Sequence, residues 1–71
     1  MDLFAIDDTQ HLRREEAAAR LRALADALAR SNSVEFERAG QRITVRVPDE
    51  VDLKVEVEIG DESELEIELT W

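Results

Sequence analysis

The feature that most constrains this chain is the alternation of apolar and charged residues along its last third. In two runs, residues 51–59 and 64–71, large apolar side chains hold the odd positions and mostly charged side chains hold the even ones. Successive side chains of a strand point to opposite faces of a sheet. Each run therefore predicts a strand with one apolar and one charged face.

Two earlier runs have the same period of two. Val34 and Phe36 alternate with glutamates, and Ile43, Val45 and Val47 alternate with arginine and threonine. An antiparallel register must place apolar opposite apolar, because a slip of one residue turns every side chain over. The first loop must therefore have an even number of residues and the next two an odd number, which fits turns at residues 39–40, 48–50 and 60–62. They predict a meander that pairs Phe36 with Ile43 and Val34 with Val45.

The same register predicts which charges meet across the strands. The favourable predicted neighbours are Glu37 with Arg42, Arg42 with Glu56, Arg46 with Asp52, and Lys54 with Glu68. In the last hairpin Glu56 faces Glu66 and Glu58 faces Glu64, and like charges opposite each other destabilise a hairpin. We expect salt or bound cations to relieve this repulsion.

A period near 3.6 predicts a helix over about residues 13–30. Its apolar stripe consists of Ala17, Leu21, Leu24, Ala25 and Leu28. Ser31, Asn32 and Ser33 end it, with Asn32 able to take a left-handed cap.

We therefore predict one α+β domain over residues 1–71, in two layers, with one helix packed on a four-stranded antiparallel meander sheet. Residues 3–6 are apolar and suggest an extra short N-terminal strand (β-α-β-β-β-β), whose pairing stays open.

The charge balance indicates the environment. Eighteen acidic residues face nine basic ones, of which only Lys54 is lysine, and the net charge is −9. Such self-repulsion destabilises a compact state in dilute salt and is screened in molar salt. We expect the protein to work in the cytoplasm of a halophile; the alternative is an ordinary acidic protein from a cell without high salt. The chain has no cysteine and no apolar run long enough for a membrane span. Residues 1–10 have neither a basic region nor an apolar region of the kind found in secretion signals, so we expect that they are not one.

Four stretches resemble the amphi-Trp domain family, a small domain widespread in haloarchaea. They are REEAA (residues 14–18), LRALADAL (21–28), VDLKVEVEIG (51–60) and the Trp-terminated strand ELEIELTW (64–71). The resemblance covers nearly the whole chain and implies a fold and a source, but no assigned activity. One departure is Arg13, which stands where the resemblance implies a Ser or Thr cap; Thr9 is the alternative cap.

No catalytic or cofactor-binding pattern is visible. His11 is the only histidine and lacks the partners that catalysis or metal binding needs. Gly40 and Gly60 fit turns, and no phosphate-binding glycine motif occurs. We therefore expect no enzymatic activity, no cofactor and no metal site, and predict a non-enzymatic interaction or accessory domain with a protein partner or a second copy of itself (a homodimer).

Two features are candidates for partner contact. Trp71 continues the odd-numbered apolar positions of Leu65, Ile67 and Leu69, so it lies on their side of the strand. It either closes the core against the helix or anchors a partner. The second feature, the acidic row, consists of Glu56, Glu58, Glu64, Glu66 and Glu68. It is either a solvated face with diffuse cations, or, as the alternative function, a nucleic-acid mimic or cation-binding face. The net charge argues against direct nucleic-acid binding. The lack of an apolar run of membrane-spanning length predicts that there is no membrane partner.

Overall fold

A computed structural model describes residues 8–71, and the predicted N-terminal strand lies outside that range. The fold is α+β, as predicted. In chain order the elements are helix α1 (Arg14–Arg30) and strands β1 (Ser33–Arg38), β2 (Gln41–Arg46), β3 (Asp52–Glu58) and β4 (Glu64–Thr70).

Helix α1 begins at Arg14, with Arg13 as the extended residue before it. The backbone N–H of Arg13 donates to Oε1 of Glu16 at 3.3 Å, which satisfies one backbone donor at the helix start. Glu15 and Glu16 also place negative charge where the helix dipole favours it. The alternative cap at Thr9 is therefore wrong, because the carboxylate of Glu16 makes the capping contact.

The helix ends without a left-handed residue. Ser31 is extended, and its N–H donates to the carbonyl of Ala27 at 3.1 Å. The hydroxyl of Ser31 then accepts from the N–H of Ser33 at 3.3 Å. The prediction of a left-handed Asn32 is wrong, since in residues 8–71 the only non-glycine residue with positive φ is Ala39. The chain passes directly from the helix into β1.

The core lies between α1 and the first hairpin. Leu24, Ala27 and Leu28 are half-buried on the side of the helix that faces β1, and Val34 on β1 is the one buried hydrophobic residue in the described part of the chain, at 7% exposure. The predicted stripe is confirmed only in part, because Leu21 remains 50% exposed and Ala25 is exposed as well.

Strands β1 and β2 form an antiparallel hairpin in the predicted register. Phe36 pairs with Ile43, Val34 with Val45, and Glu37 lies opposite Arg42. Ala39 and Gly40 form the two-residue turn with φ angles of 52° and 79°. A type I′ turn needs positive φ at both central residues, and its twist matches that of the flanking strands.

Strands β3 and β4 form a second antiparallel hairpin, again in the predicted register. Leu53 pairs with Leu69, Val55 with Ile67 and Val57 with Leu65, so the apolar side chains share one face. Lys54 lies opposite Glu68, and the acidic pairs Glu56–Glu66 and Glu58–Glu64 also form as predicted.

The single four-stranded meander is wrong. The strands form two separate two-stranded sheets, β1–β2 and β3–β4. Across residues 8–71, β3 and β4 come within 8 Å of each other (Cα to Cα) and of no other helix or strand, and α1 contacts β1 alone. The structure therefore has one helix-covered hairpin and one hairpin that stands apart.

The connection over residues 47–51 gives the physical reason. The N–H of Val47 donates to the carbonyl of Asn32 at 2.8 Å, which continues the β1–β2 ladder past the end of β2. Val47 also precedes Pro48, which favours the extended backbone region at Val47. No glycine lies in the segment. The predicted neighbours Arg42–Glu56 and Arg46–Asp52 are consequently not formed, and Nε of Arg42 lies 3.7 Å from Oε2 of Glu35.

The Ala39–Gly40 turn gives a matched pair of variants. We expect Ala39→Asn to stabilise the fold, because Asn tolerates positive φ better than Ala, whereas Gly40→Ala should destabilise it by about 1–2 kcal/mol. A Cβ at Gly40 would meet no atom within 4 Å, so the loss would report backbone strain alone. Thermal melting of both variants in molar KCl measures the two effects. Equal melting of Gly40→Ala and the parent would contradict the turn geometry.

Candidate functional site

The second hairpin presents two faces of opposite chemistry. One face, here called the apolar hairpin face, is formed by the three apolar cross-strand pairs together with the flanking Ile59 and Trp71 in the same phase. The other face carries the acidic row. Both faces follow from one local cause, since strict alternation sends neighbouring residues to opposite sides of the hairpin.

The apolar hairpin face is open to solvent. Seven of its large side chains are between 47% and 86% exposed: Leu53, Val55, Val57, Ile59, Leu65, Ile67 and Trp71. Leu69 is half-buried. Scattered single hydrophobic residues are normal on a protein surface, whereas a contiguous apolar patch is the kind of surface that contacts with proteins, membranes or ligands use.

Trp71 does not close the core against the helix. It is 62% exposed, and the hairpin beside it approaches no helix in the described part of the chain. The interpretation of Trp71 as a core residue is therefore wrong for the single chain. The alternation likewise predicted that the aliphatic residues of this face lie in the core. No local pattern marks them as uncovered, because alternation determines which side of a strand a residue faces and not what lies opposite it.

The acidic row lies on the opposite face, and all five of its carboxylates belong to exposed residues. Two of the cross-strand pairs join glutamate to glutamate, at Glu56–Glu66 and Glu58–Glu64. The only cation in the strands of this hairpin, Lys54, has its Nζ 3.4 Å from Oε2 of Glu56 on the same strand. Lys54 therefore compensates one end of the row and leaves the Glu58–Glu64 end without a neighbouring cation on the two strands.

Charge is divided unequally between the two parts of the fold. Residues 51–71 contain eight acidic residues and one lysine, a side-chain charge of −7. Residues 13–46, which include α1, β1 and β2, contain eight arginines and five acidic residues, a charge of +3. The negative charge of the chain is thus concentrated on the hairpin that stands apart.

A second concave feature lies between α1 and β1. This open groove of about 1070 Å³ has an apolar floor that includes Leu24, Ala27 and Phe36, with Arg20 and Arg30 among its lining residues. Its described lining residues include no histidine or cysteine, and its two serines, Ser31 and Ser33, have their hydroxyl oxygens 3.3 Å apart, within hydrogen-bond distance of each other. His11 is exposed in the segment before the helix.

Across residues 8–71, no three histidine, aspartate or glutamate side chains lie together in a way that would hold a metal ion, and the acidic row is spread along the strands. None of the helical structure there is both long and apolar enough to cross a bilayer.

The protein-family model described as the Amphi-Trp domain matches residues 2–71 of the chain. Neither the curated proteins nor the solved structures contain a match to the chain.

Repulsion within the acidic row can be measured with two variants of equal charge change. We expect Glu58→Gln to raise the melting temperature in dilute salt, because Glu58 faces Glu64. Glu68→Gln should raise it less or lower it, because Glu68 faces Lys54. Each cross-strand effect is worth a few tenths of a kcal/mol. The difference between the variants should vanish in molar KCl, where the Debye length is about 3 Å. A difference that persists at molar salt would contradict a purely electrostatic origin.

Proposed function

The chain belongs to the Amphi-Trp domain family, and on this premise we propose that it acts as a non-enzymatic interaction domain whose contact surface is the apolar hairpin face. The observation that carries the proposal is the exposure of seven large apolar side chains on one side of β3–β4. Burial of such surface is the main driving force of most protein association.

The composition of this face supports a contact role more than a solvated one. Its three cross-strand pairs are aliphatic throughout, and charged side chains are confined to the opposite face of the same strands. Interface cores are depleted in charge and enriched in tryptophan, which Trp71 supplies at the end of β4. A partner of matching apolar surface would contact the aliphatic pairs and Trp71 together.

We place this activity in a cytoplasm of high ionic strength. The support is the net charge of −9 and its concentration on one hairpin. Screening in molar salt removes most of the repulsion along the acidic row and leaves the hydrophobic contribution of the apolar face intact. The same conditions therefore favour both a folded hairpin and an associated one.

A second candidate function uses the other face of the hairpin. The observed register places carboxylates at alternate positions of both strands, about 6.8 Å apart along each strand. Phosphates carry comparable regular negative charge along nucleic acid, so the acidic row would occupy a nucleic-acid-binding protein by mimicry. This candidate predicts a strongly salt-sensitive partner and no dependence on Trp71.

The proposal is tested by observing Trp71 directly. It is the only tryptophan, so biosynthetic labelling with 5-fluorotryptophan gives one ¹⁹F resonance. In a molar-KCl cell extract we expect this resonance to shift from its position in dilute pure protein and to lose its sensitivity to solvent exchange between H₂O and D₂O. The reason is that a bound partner excludes water from the indole.

The matched control moves the reporter to the other hairpin. In the double variant Phe36→Trp/Trp71→Phe the label lies on β1, where Phe36 is 40% exposed, and its resonance should not respond to the extract. If the Trp71 resonance keeps its free, solvent-sensitive position in concentrated protein and in the extract alike, the contact role of this face is wrong. Loss of an extract partner on replacing Glu56, Glu58, Glu66 and Glu68 by Gln would instead assign function to the acidic row.

A further inference from the structure

We propose that the apolar hairpin face docks against the same face of a second copy of this chain and so forms a two-fold symmetric homodimer. The inference rests on the proposed function, for which it names the partner.

The isolation of β3–β4 is the first argument. A two-stranded hairpin alone in water is marginally stable at best, and it needs further strands or a helix against its apolar face. In the described part of this chain, no helix or other strand approaches β3–β4. The cover that the hairpin requires must be present whenever the chain is folded. A second copy is present wherever the chain itself is present and in matching amount, as in dimers whose protomers are not stable alone.

The surface area is the second argument. The chain exposes 6985 Å², whereas a compact monomer of 8.1 kDa exposes about 4,500 Å². Residues 1–7 would expose about 1,100 Å² as a fully extended chain. Most of the area by which the chain exceeds a compact monomer therefore belongs to the described residues.

The apolar hairpin face accounts for a substantial share of the excess. Its seven exposed side chains present on the order of 500–800 Å². This exceeds the largest apolar patch of many monomers, about 300–600 Å², and approaches the roughly 800 Å² that each partner buries in a standard stable interface.

Charge placement is the third argument. Two-fold packing sets each face against its own copy, so both sides of the contact are apolar and no charge is buried. The two acidic rows then point outward on opposite sides. With stacked sheets about 10 Å apart, the carboxylates of the two rows lie roughly 20 Å from each other. That is about two Debye lengths at 0.1 M salt, so the rows oppose the dimer only weakly.

Sedimentation equilibrium in molar KCl tests the proposal with two variants of equal charge change on adjacent residues. The parent should sediment at twice the 8.1 kDa chain mass, and its melting temperature should rise with protein concentration. Val55→Glu places an unpaired charge at the centre of the face and should weaken the dimer at least about 100-fold. Lys54→Gln lies on the opposite face of the same strand and should leave the dimer intact.

A milder pair of variants locates the contact if Val55→Glu fails to fold. The chain has no cysteine, so Val55→Cys and Lys54→Cys each introduce a single thiol. With a bis-maleimide cross-linker whose spacer matches the roughly 10 Å between stacked sheets, Val55→Cys should give a covalently linked dimer in molar KCl and Lys54→Cys should not, because only position 55 faces the partner copy. The opposite result, or equal cross-linking of both variants, would overturn the proposed face.

A parent that sediments as a monomer at every concentration would overturn the homodimer. The ¹⁹F experiment then decides the proposed function separately. If the Trp71 resonance still shifts in the cell extract, the face binds a different protein. If the resonance stays free, the homodimer and the interaction role are both wrong.

Discussion

The burial of apolar surface is the constraint on which the rest of this structure depends. Helix α1 offers one apolar stripe, and that stripe covers the first hairpin, where Val34 becomes buried and Leu24 and Leu28 half-buried. A 17-residue helix that contacts β1 alone has no second stripe for β3–β4. The chain therefore leaves a second and larger apolar sheet face without cover, and the proposed role of the hairpin follows from this uncovered surface.

The second hairpin separates two physical effects on its two faces. Repulsion along the acidic row falls as salt is added, because exposed charges are screened beyond the Debye length. Hydrophobic contact on the other face does not depend on that screening. Like-charge pairs such as Glu58–Glu64 thus weaken the hairpin only in dilute salt, while the apolar pairs behind them remain available for association. The net result is a surface whose use we expect to increase with ionic strength.

Much of the local structure was predictable from the sequence. The helix was placed within one residue of its observed start by its apolar period and its terminal charges. Both hairpin registers followed from the alternation of apolar residues. Apolar residues lie opposite one another only if the β1–β2 loop has an even number of residues and the β3–β4 loop an odd number. The Ala39–Gly40 turn could be predicted for the same reason, and its two positive φ angles agree with a two-residue hairpin loop. The acidic pairs of the candidate site came from that register.

What the sequence determined by itself is therefore local: which residues form strands, which side each residue faces, and where like charges meet. Only the tertiary structure decided that β2 and β3 do not pair, that Trp71 stays exposed, and that the apolar hairpin face is a surface and not a core. The physical reason is that alternation fixes the direction of a side chain relative to its own strand. What lies opposite that side chain depends on how residues 47–51 direct the chain, and no periodicity records that path.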